Sequence, residues 1–128
     1  MIGLDTNVPV RYIAQDDKLQ SARATALIEK ECSAALPGFV GLVVLAEVVW
    51  VSESRYGATR TEVAEIVRRL LSIRQLVVQD AAIAWKALRQ FETGRADFAD
   101  CLIERSAFTA GCVRTMSFDK RSGMTLLV

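Results

Sequence analysis

Short apolar runs, separated by polar and turn-forming residues, predict five β-strands along the chain. They lie at about residues 1–5, 39–43, 75–79, 113–118 and 124–128. The apolar stretch that begins at residue 39 is too uniform for periodicity to separate a strand from a helix. We assign its first five residues to a strand and about 44–56 to a buried helix that Gly57 ends.

Longer stretches repeat their apolar residues every three or four positions, which is typical of amphipathic helices. These predicted helices are residues 18–32, a segment opened by Thr59 or Thr61, a segment from Asp80 to Gly94, and a segment that begins near Asp97. Because helices alternate with short apolar strands, the pattern predicts an α/β protein whose parallel sheet is covered on both faces.

Length and composition predict one globular domain of residues 1–128. About half of the residues are apolar (52%), and no apolar run approaches the roughly 20 residues that span a bilayer. We therefore expect a soluble, cytoplasmic protein. The three cysteines form no C-x-x-C pair, so we expect reduced thiols packed in the core.

Charge and histidine content narrow the possible chemistry. The net charge of +1 creates no global basic field, and twelve of the sixteen cations are arginine, which suits phosphate contacts and solvated helix faces equally. The chain has no histidine, which excludes Ser-His-Asp and Cys-His nucleophile systems, histidine acid–base pairs and H-E-x-x-H zinc sites. An enzyme of this composition would use carboxylates, arginine, lysine, hydroxyls or thiols, and carboxylates without histidine favour Mg²⁺ or Mn²⁺.

Two acids follow predicted strands. Asp5 ends the first strand and Asp119 follows the fourth, so in a parallel sheet both are expected at the edge where ligands bind. An Asx turn or a helix cap explains either residue equally well.

Glu47 stands inside the apolar sequence LVVLAEVVWV, which predicts that its side chain is buried. An ionised carboxylate in an apolar interior costs several kcal/mol unless it is paired or binds a cation. Two explanations are open: a buried ion pair with an arginine such as Arg11 or Arg105, or a functional role.

Asp97 and Asp100 precede an apolar run at the spacing of a helix start. Asp97 fits an N-cap, and Asp100 falls at the third helical position, where a carboxylate can complete a capping box. The helix dipole would favour both charges, and we expect it to keep Asp100 ionised and ready to bind a cation. Carboxylates that converge on one point repel unless a cation neutralises them, and one or two such cations are suited to phosphodiester hydrolysis.

Four segments together carry a family resemblance. LDTNVPVRYI, LAEVVWV, DFADCLIERSAFTAGC and TMSFDKR, in this order and at this spacing, resemble PIN-domain ribonucleases and, within them, the VapC toxins of bacterial type II toxin–antitoxin operons. The resemblance covers essentially the whole chain. It implies a three-layer α/β/α sandwich with a central parallel sheet and an endoribonuclease that depends on Mg²⁺ or Mn²⁺. It also implies a VapB-like antitoxin, an RNA substrate such as tRNA or rRNA, and a homodimer.

The resemblance assigns roles by position. It implies that Asp5, Glu47 and Asp100 are catalytic metal ligands, and that Asp119 is a fourth acid whose contribution varies within the family. It places Thr6, Asn7 and Ser117 where small polar residues hydrogen-bond the acids or position water. Asp97 recurs in the motif but is expected to act mainly as a helix cap.

Two other functions are weighed against the nuclease. One is a PIN-like scaffold that has lost catalysis and only binds partners, although all four acids are present. The other is a phosphoacceptor receiver domain, which needs an aspartate at the end of a central strand and a separate late lysine. Here the central segment offers only Glu47, and Lys120 directly follows Asp119, so the receiver domain is disfavoured.

Overall fold

The computed structural model describes residues 1–127, which divide into two compact units, Met1–Ala81 and the segment from Ala82 onward. The single domain expected from the length stays a prediction. Among the described helices, none combines the length and the apolar character needed to cross a membrane.

The first unit alternates strands with helices around a parallel sheet. Its elements are β1 (Ile2–Gly3), α1 (Asn7–Ala14), α2 (Lys18–Ala26), a π-helical turn (Leu27–Glu31), β2 (Gly38–Val40), α3 (Leu42–Tyr56), α4 (Arg60–Ser72) and β3 (Leu76–Val78). Strand β2 lies between β1 and β3 and pairs with both in parallel. The predicted parallel pairing is therefore confirmed in this unit.

Gly38 allows side chains from the neighbouring strands to pack closely over β2 in the sheet of the first unit. This residue of β2 is paired with Ile2 on one side and Leu76 on the other. A β-carbon at residue 38 would lie 2.9 Å from a methyl group of Leu4 and 2.9 Å from a methyl group of Leu76. A side chain at residue 38 would therefore require both leucine side chains to shift.

Local signals set the helix ends of the first unit. Thr59 caps α4, and a reciprocal capping box joins it to Glu62, which decides between the two threonines considered from the sequence. Gly57 ends α3 with a left-handed φ of 65°, as predicted. Helix α3 begins at Leu42, earlier than the predicted residue 44, and the Leu42 N–H donates to the Gln79 side-chain oxygen at 2.9 Å.

The second unit packs two helices and a pair of very short strands. Its elements are α5, which starts at the unit boundary (Ala81–Thr93), α6 (Phe98–Thr109), β4 (Met116–Ser117) and β5 (Thr125–Leu126). Phe91 and Phe98 meet edge to face with ring centroids 5.9 Å apart. Strands β4 and β5 pair in parallel. Strand β4 is shorter than the predicted 113–118 because Val113 is 98% exposed and contributes nothing to a core.

All three cysteines are free thiols. Cys32 and Cys101 are buried, as expected, but Cys112 is exposed, so the prediction of a core position is wrong for this residue. It follows the end of α6, where the chain turns through Gly111 with a φ of 99°.

Candidate functional site

The eight residues assigned from the sequence are divided between the two units. The first unit contains Asp5, Thr6, Asn7 and Glu47, and the second contains Asp97, Asp100, Ser117 and Asp119. Each set is described within its own unit.

Asp5 lies at the carboxyl end of β1, directly after the buried Leu4, whose N–H still donates to Phe39 in β2. Its side chain is exposed, and one carboxylate oxygen accepts a 2.8 Å hydrogen bond from the Thr6 N–H. Thr6 is buried at the start of α1, whereas Asn7, the first residue of that helix, is exposed. The chain thus turns Asp5 towards solvent at the edge where parallel sheets bind ligands.

Glu47 is exposed, and the prediction that it is buried is wrong. Helix α3 buries Leu45 and Val48 but leaves Val43 72% exposed and Trp50 67% exposed. Residues 43, 47 and 50 lie on one face of a helix, since they are four and three positions apart. Glu47 therefore occupies an outward face whose apolar neighbours are themselves exposed, and no buried charge needs an explanation.

Arg11, one of the two arginines considered as a partner of Glu47, is engaged elsewhere in the first unit. Its guanidinium contacts the Asp16 carboxylate at 3.1 Å and donates to the Gln20 side chain at 2.8 Å. The Tyr56 hydroxyl donates to the other oxygen of Asp16 at 2.7 Å. This hydrogen bond, ahead of the arginine, lowers the pKa of Asp16.

Asp97 is the N-cap of α6, as predicted. Its backbone is extended, and its carboxylate accepts a 2.8 Å hydrogen bond from the Asp100 N–H. A cap of this kind satisfies one of the free N–H groups at the helix start and contributes about 1 kcal/mol.

Asp100 is half-buried, and its environment opposes ionisation. Burial raises the pKa of its carboxyl group most, followed by the charges of Asp97 and Asp119. The helix dipole was expected to favour the charged form of Asp100, and the pKa of this carboxyl group is shifted in the opposite direction. Desolvation and two nearby carboxylates act against the dipole effect, which is roughly 0.3–1 kcal/mol.

Asp119 lies in a tightly hydrogen-bonded turn after β4. Its N–H donates to the Ser117 hydroxyl at 3.0 Å, and its carboxylate accepts from the Arg121 N–H at 2.9 Å. The second contact is an Asx turn, the structural alternative considered from the sequence. The buried Ser122 closes the turn, since its hydroxyl donates to the Asp119 carbonyl at 2.8 Å and accepts from the Met124 N–H at 3.1 Å.

Two residues that position the site were missed in the sequence. Ser122 holds the turn of Asp119, and Gln79 caps the helix that carries Glu47. A polar residue at the end of a buried strand was a usable signal for Gln79, because such residues lie at the ligand-binding edge. Ser122, inside an ordinary Ser-Gly turn sequence, offered no comparable signal.

The sequence as a whole identifies the family. The chain matches the family model of the PIN domain over residues 2–123. The chain belongs to the PIN-domain family. PIN domains are α/β/α proteins with a parallel sheet, so the predicted fold class is confirmed. No curated protein shows a significant match to the chain.

PIN domains are generally metal-dependent nucleases that use divalent cations such as Mg²⁺. The candidate residues of this chain offer carboxylate oxygens and no histidine, a donor set that suits such a cation chemically. In the second unit, burial raises the pKa of Asp100 most, and the charges of Asp97 and Asp119 raise it further. Within neither unit do three or more acid, cysteine or histidine side chains of residues 1–127 form a group that could hold a metal ion.

Proposed function

We propose that this PIN domain is an endoribonuclease that depends on Mg²⁺ or Mn²⁺ and acts as the toxin of a VapBC-type toxin–antitoxin pair. The observation that carries the proposal is the match of residues 2–123 to the PIN-domain family, whose members are generally metal-dependent nucleases. In the second unit, burial and then the charges of Asp97 and Asp119 raise the pKa of Asp100. Mutual repulsion of carboxylates is costly without a cation, and it is typical of sites that bind one. Family membership supports the nuclease class.

We assign the catalytic metal ligands to Asp5, Glu47, Asp100 and Asp119. When bound, the cation would lower the pKa of a water molecule and stabilise the leaving oxygen of the phosphodiester. The chain's own residues prepare this chemistry. Asp97 fixes the start of α6 and so the position of Asp100, while Ser117 holds the backbone of Asp119. We assign Thr6 and Asn7 the hydrogen bonding of Asp5 and the positioning of water.

The resemblance of LDTNVPVRYI and DFADCLIERSAFTAGC to VapC proteins supports the finer assignment. It makes a VapB-like antitoxin the partner, a homodimer the oligomeric state, the cytoplasm the place of action, and RNA such as tRNA or rRNA the substrate. The upstream neighbouring gene offers a direct check, since it should encode a small protein with a DNA-binding N-terminal region.

A non-catalytic PIN scaffold is the second candidate. One observation favours it, namely that within each unit the described acids do not already form a group that could hold a metal. Calorimetry with Mn²⁺ separates the two candidates, because a folded protein that binds no Mn²⁺ would support the scaffold.

The decisive experiment is RNA cleavage by purified protein with Mg²⁺, with Mn²⁺ and with EDTA. Asp5→Ala and Glu47→Ala should each reduce the cleavage rate about 100-fold or more, the usual scale for losing one preorganised electrostatic group. Glu65→Ala is the matched control, because Glu65 is also an exposed glutamate on a helix of the first unit. Circular dichroism establishes that each variant is folded.

Equal cleavage by the wild type, Asp5→Ala and Glu47→Ala would contradict the proposal, as would cleavage that persists in EDTA. If the wild type cleaves RNA and the variants do not, sequencing of RNA 5′ ends after brief expression, wild type against Glu47→Ala, identifies the RNA and the cleavage position.

A further inference from the structure

The second unit contains a cavity of about 470 Å³ whose lining includes three cations and no acid. The cations are Arg95, in the loop between α5 and α6, and Lys120 and Arg121, in the turn after β4. We call this space the basic cavity. Its volume falls within the range of pockets that hold molecules of nucleotide size, roughly 300–1,000 Å³.

The loops that form the basic cavity also carry the helix cap Asp97 and the proposed metal ligand Asp119. Arg95 is two residues before Asp97, and Lys120 and Arg121 directly follow Asp119. Along the chain, positively charged residues therefore stand close to the cap Asp97 and to the proposed ligand Asp119. A site that binds a cation and an anion side by side needs this arrangement, because carboxylates alone would repel the phosphates of a nucleic acid.

The cations of the turn are held on an ordered backbone. The Arg121 N–H donates to the Asp119 carboxylate, and the Ser122 N–H and hydroxyl both donate to the Asp119 carbonyl, at 3.2 and 2.8 Å. One turn thus fixes both Asp119 and the backbone that presents Lys120 and Arg121. Preorganisation of this kind reduces the entropy lost when a ligand binds.

Two glycines form part of the cavity wall. At Gly94 an added β-carbon would lie 3.0 Å from the Gln90 carbonyl oxygen, and Gly123 has a left-handed φ of 75°. Both positions favour glycine for backbone reasons. Glycine at these two positions adds no side chain to the wall of the cavity.

We propose that the basic cavity binds a backbone phosphate of the RNA, next to the phosphodiester that the acids cleave. The inference rests on the proposed nuclease function and adds to it the residues that position the substrate. Arginine and lysine are the side chains that proteins use for nucleic-acid phosphates, and such contacts set the register of the strand without reading its bases. Lys120 and Arg121 are accordingly positioning residues for the substrate.

The test measures RNA binding in EDTA, where the proposed reaction does not run. A fluorescent single-stranded RNA is titrated with wild type, with Lys120→Gln/Arg121→Gln, and with the control Lys30→Gln/Arg74→Gln. The control removes the same two charges from exposed positions of the first unit. We expect the cavity variant to bind RNA at least about tenfold more weakly at low salt and the control to change affinity less than about twofold.

The salt dependence of affinity gives a second readout. The logarithmic salt slope for single-stranded RNA changes by about 0.7 for each phosphate that the protein neutralises, so loss of the one proposed phosphate contact should reduce the slope of the cavity variant by about 0.7 and leave that of the control unchanged. Competition with a 5′-mononucleotide and with inorganic phosphate identifies the ligand, and we expect the mononucleotide to compete better. Equal weakening by both double variants, or an unchanged affinity and salt slope of the cavity variant, would overturn the inference. So would preferential binding of an acidic peptide to the wild-type cavity.

Binding and cleavage results separate this inference from the nuclease proposal. A wild type that binds RNA through the basic cavity but never cleaves it with Mn²⁺ would contradict the nuclease and leave the cavity supported. A wild type that cleaves RNA while the cavity variant keeps the same KM and RNA affinity would contradict the cavity alone.

Discussion

Helix α3 presents Glu47 to solvent between Val43 and Trp50, whereas helix α6 holds Asp100 half-buried beside two further carboxylates. Glu47 is surrounded in the sequence by apolar residues, yet it carries no burial cost. Asp100 follows a polar loop, yet burial and neighbouring charge oppose its ionisation. The comparison teaches that the environment of an acid on a helix depends on the face it occupies and on what the loops bring to it.

The largest difference in stability is expected between substitutions on the two faces of α3. Val48→Ala should lower the free energy of unfolding by about 2 kcal/mol, because Val48 is fully buried and the substitution removes two methyl groups and leaves a cavity. Trp50→Ala, two residues away, should change it by less than about 0.5 kcal/mol, because the indole is mainly in solvent. Urea unfolding followed by circular dichroism measures both variants.

A larger loss for Trp50→Ala than for Val48→Ala would mean that α3 is rotated and that Glu47 faces the interior. Glu47 would then be a buried charge, and its ionisation would again need a paired cation or a functional role to explain it.

The next largest change in stability distinguishes the capping role of Asp97 from the effect of its charge. Asp97→Ala removes the N-cap of α6 and should destabilise the protein by about 1 kcal/mol. Asp97→Asn keeps a capping oxygen, so it should cost less than about 0.5 kcal/mol while removing one of the charges that raise the pKa of Asp100. Denaturant unfolding at neutral pH compares the two variants. An equal loss of stability in both would show that the charge of Asp97, and not its cap, stabilises α6.

The smallest effect concerns the pH dependence of stability at Asp100. Because its pKa is raised in the folded protein, ionised Asp100 destabilises the fold above that pKa, and the penalty disappears as pH falls below about 4, the usual value in an unfolded chain. Asp100→Asn should therefore be more stable than wild type at pH 7, by about 0.5 kcal/mol given the partial exposure of the group. The difference should vanish below about pH 4.

Thermal unfolding from pH 3.5 to 7.5, with and without Mn²⁺, checks this prediction. Mn²⁺ should raise the Tm of wild type and leave that of Asp100→Asn nearly unchanged, since a ligand stabilises only the form that binds it. If Asp100→Asn proves less stable than wild type at pH 7 without metal, the helix dipole outweighs the repulsion after all.

Much of the fold could be predicted from the sequence because strong local signals agree with the packing. Gly57, Thr59 and Asp97 end or start their helices as their chemistry dictates. The lengths of the strands could be predicted less well from the sequence. The apolar character of residue 113 predicts a strand, but pairing with a neighbour decides where a strand ends, and that is a tertiary property.

The residue types of the candidate site could be predicted from the sequence, but the burial and the neighbours of those residues could be predicted less well. The acids stand out because four motifs occur in order, whereas the exposure of Glu47 depends on the rotation of α3, which a uniformly apolar sequence leaves open. The basic cavity depends on two loops that are distant in the sequence. Arg95 and Arg121 are separated by an entire helix and a strand, so no local pattern joins them.

Gly38, in the central strand of the sheet, packs against the residue that precedes the proposed metal ligand Asp5. Its missing side chain lets Leu4 and Leu76 close over β2, and Leu4 is the residue before Asp5. A methyl group at residue 38 would press on Leu4 and on Leu76 at the same distance, so we expect this small substitution to disturb both the packing of the sheet and the residue next to a proposed metal ligand. We therefore expect a substitution of Gly38 to lower the thermal stability of the protein and the proposed activity together, although residue 38 is not one of the proposed site residues.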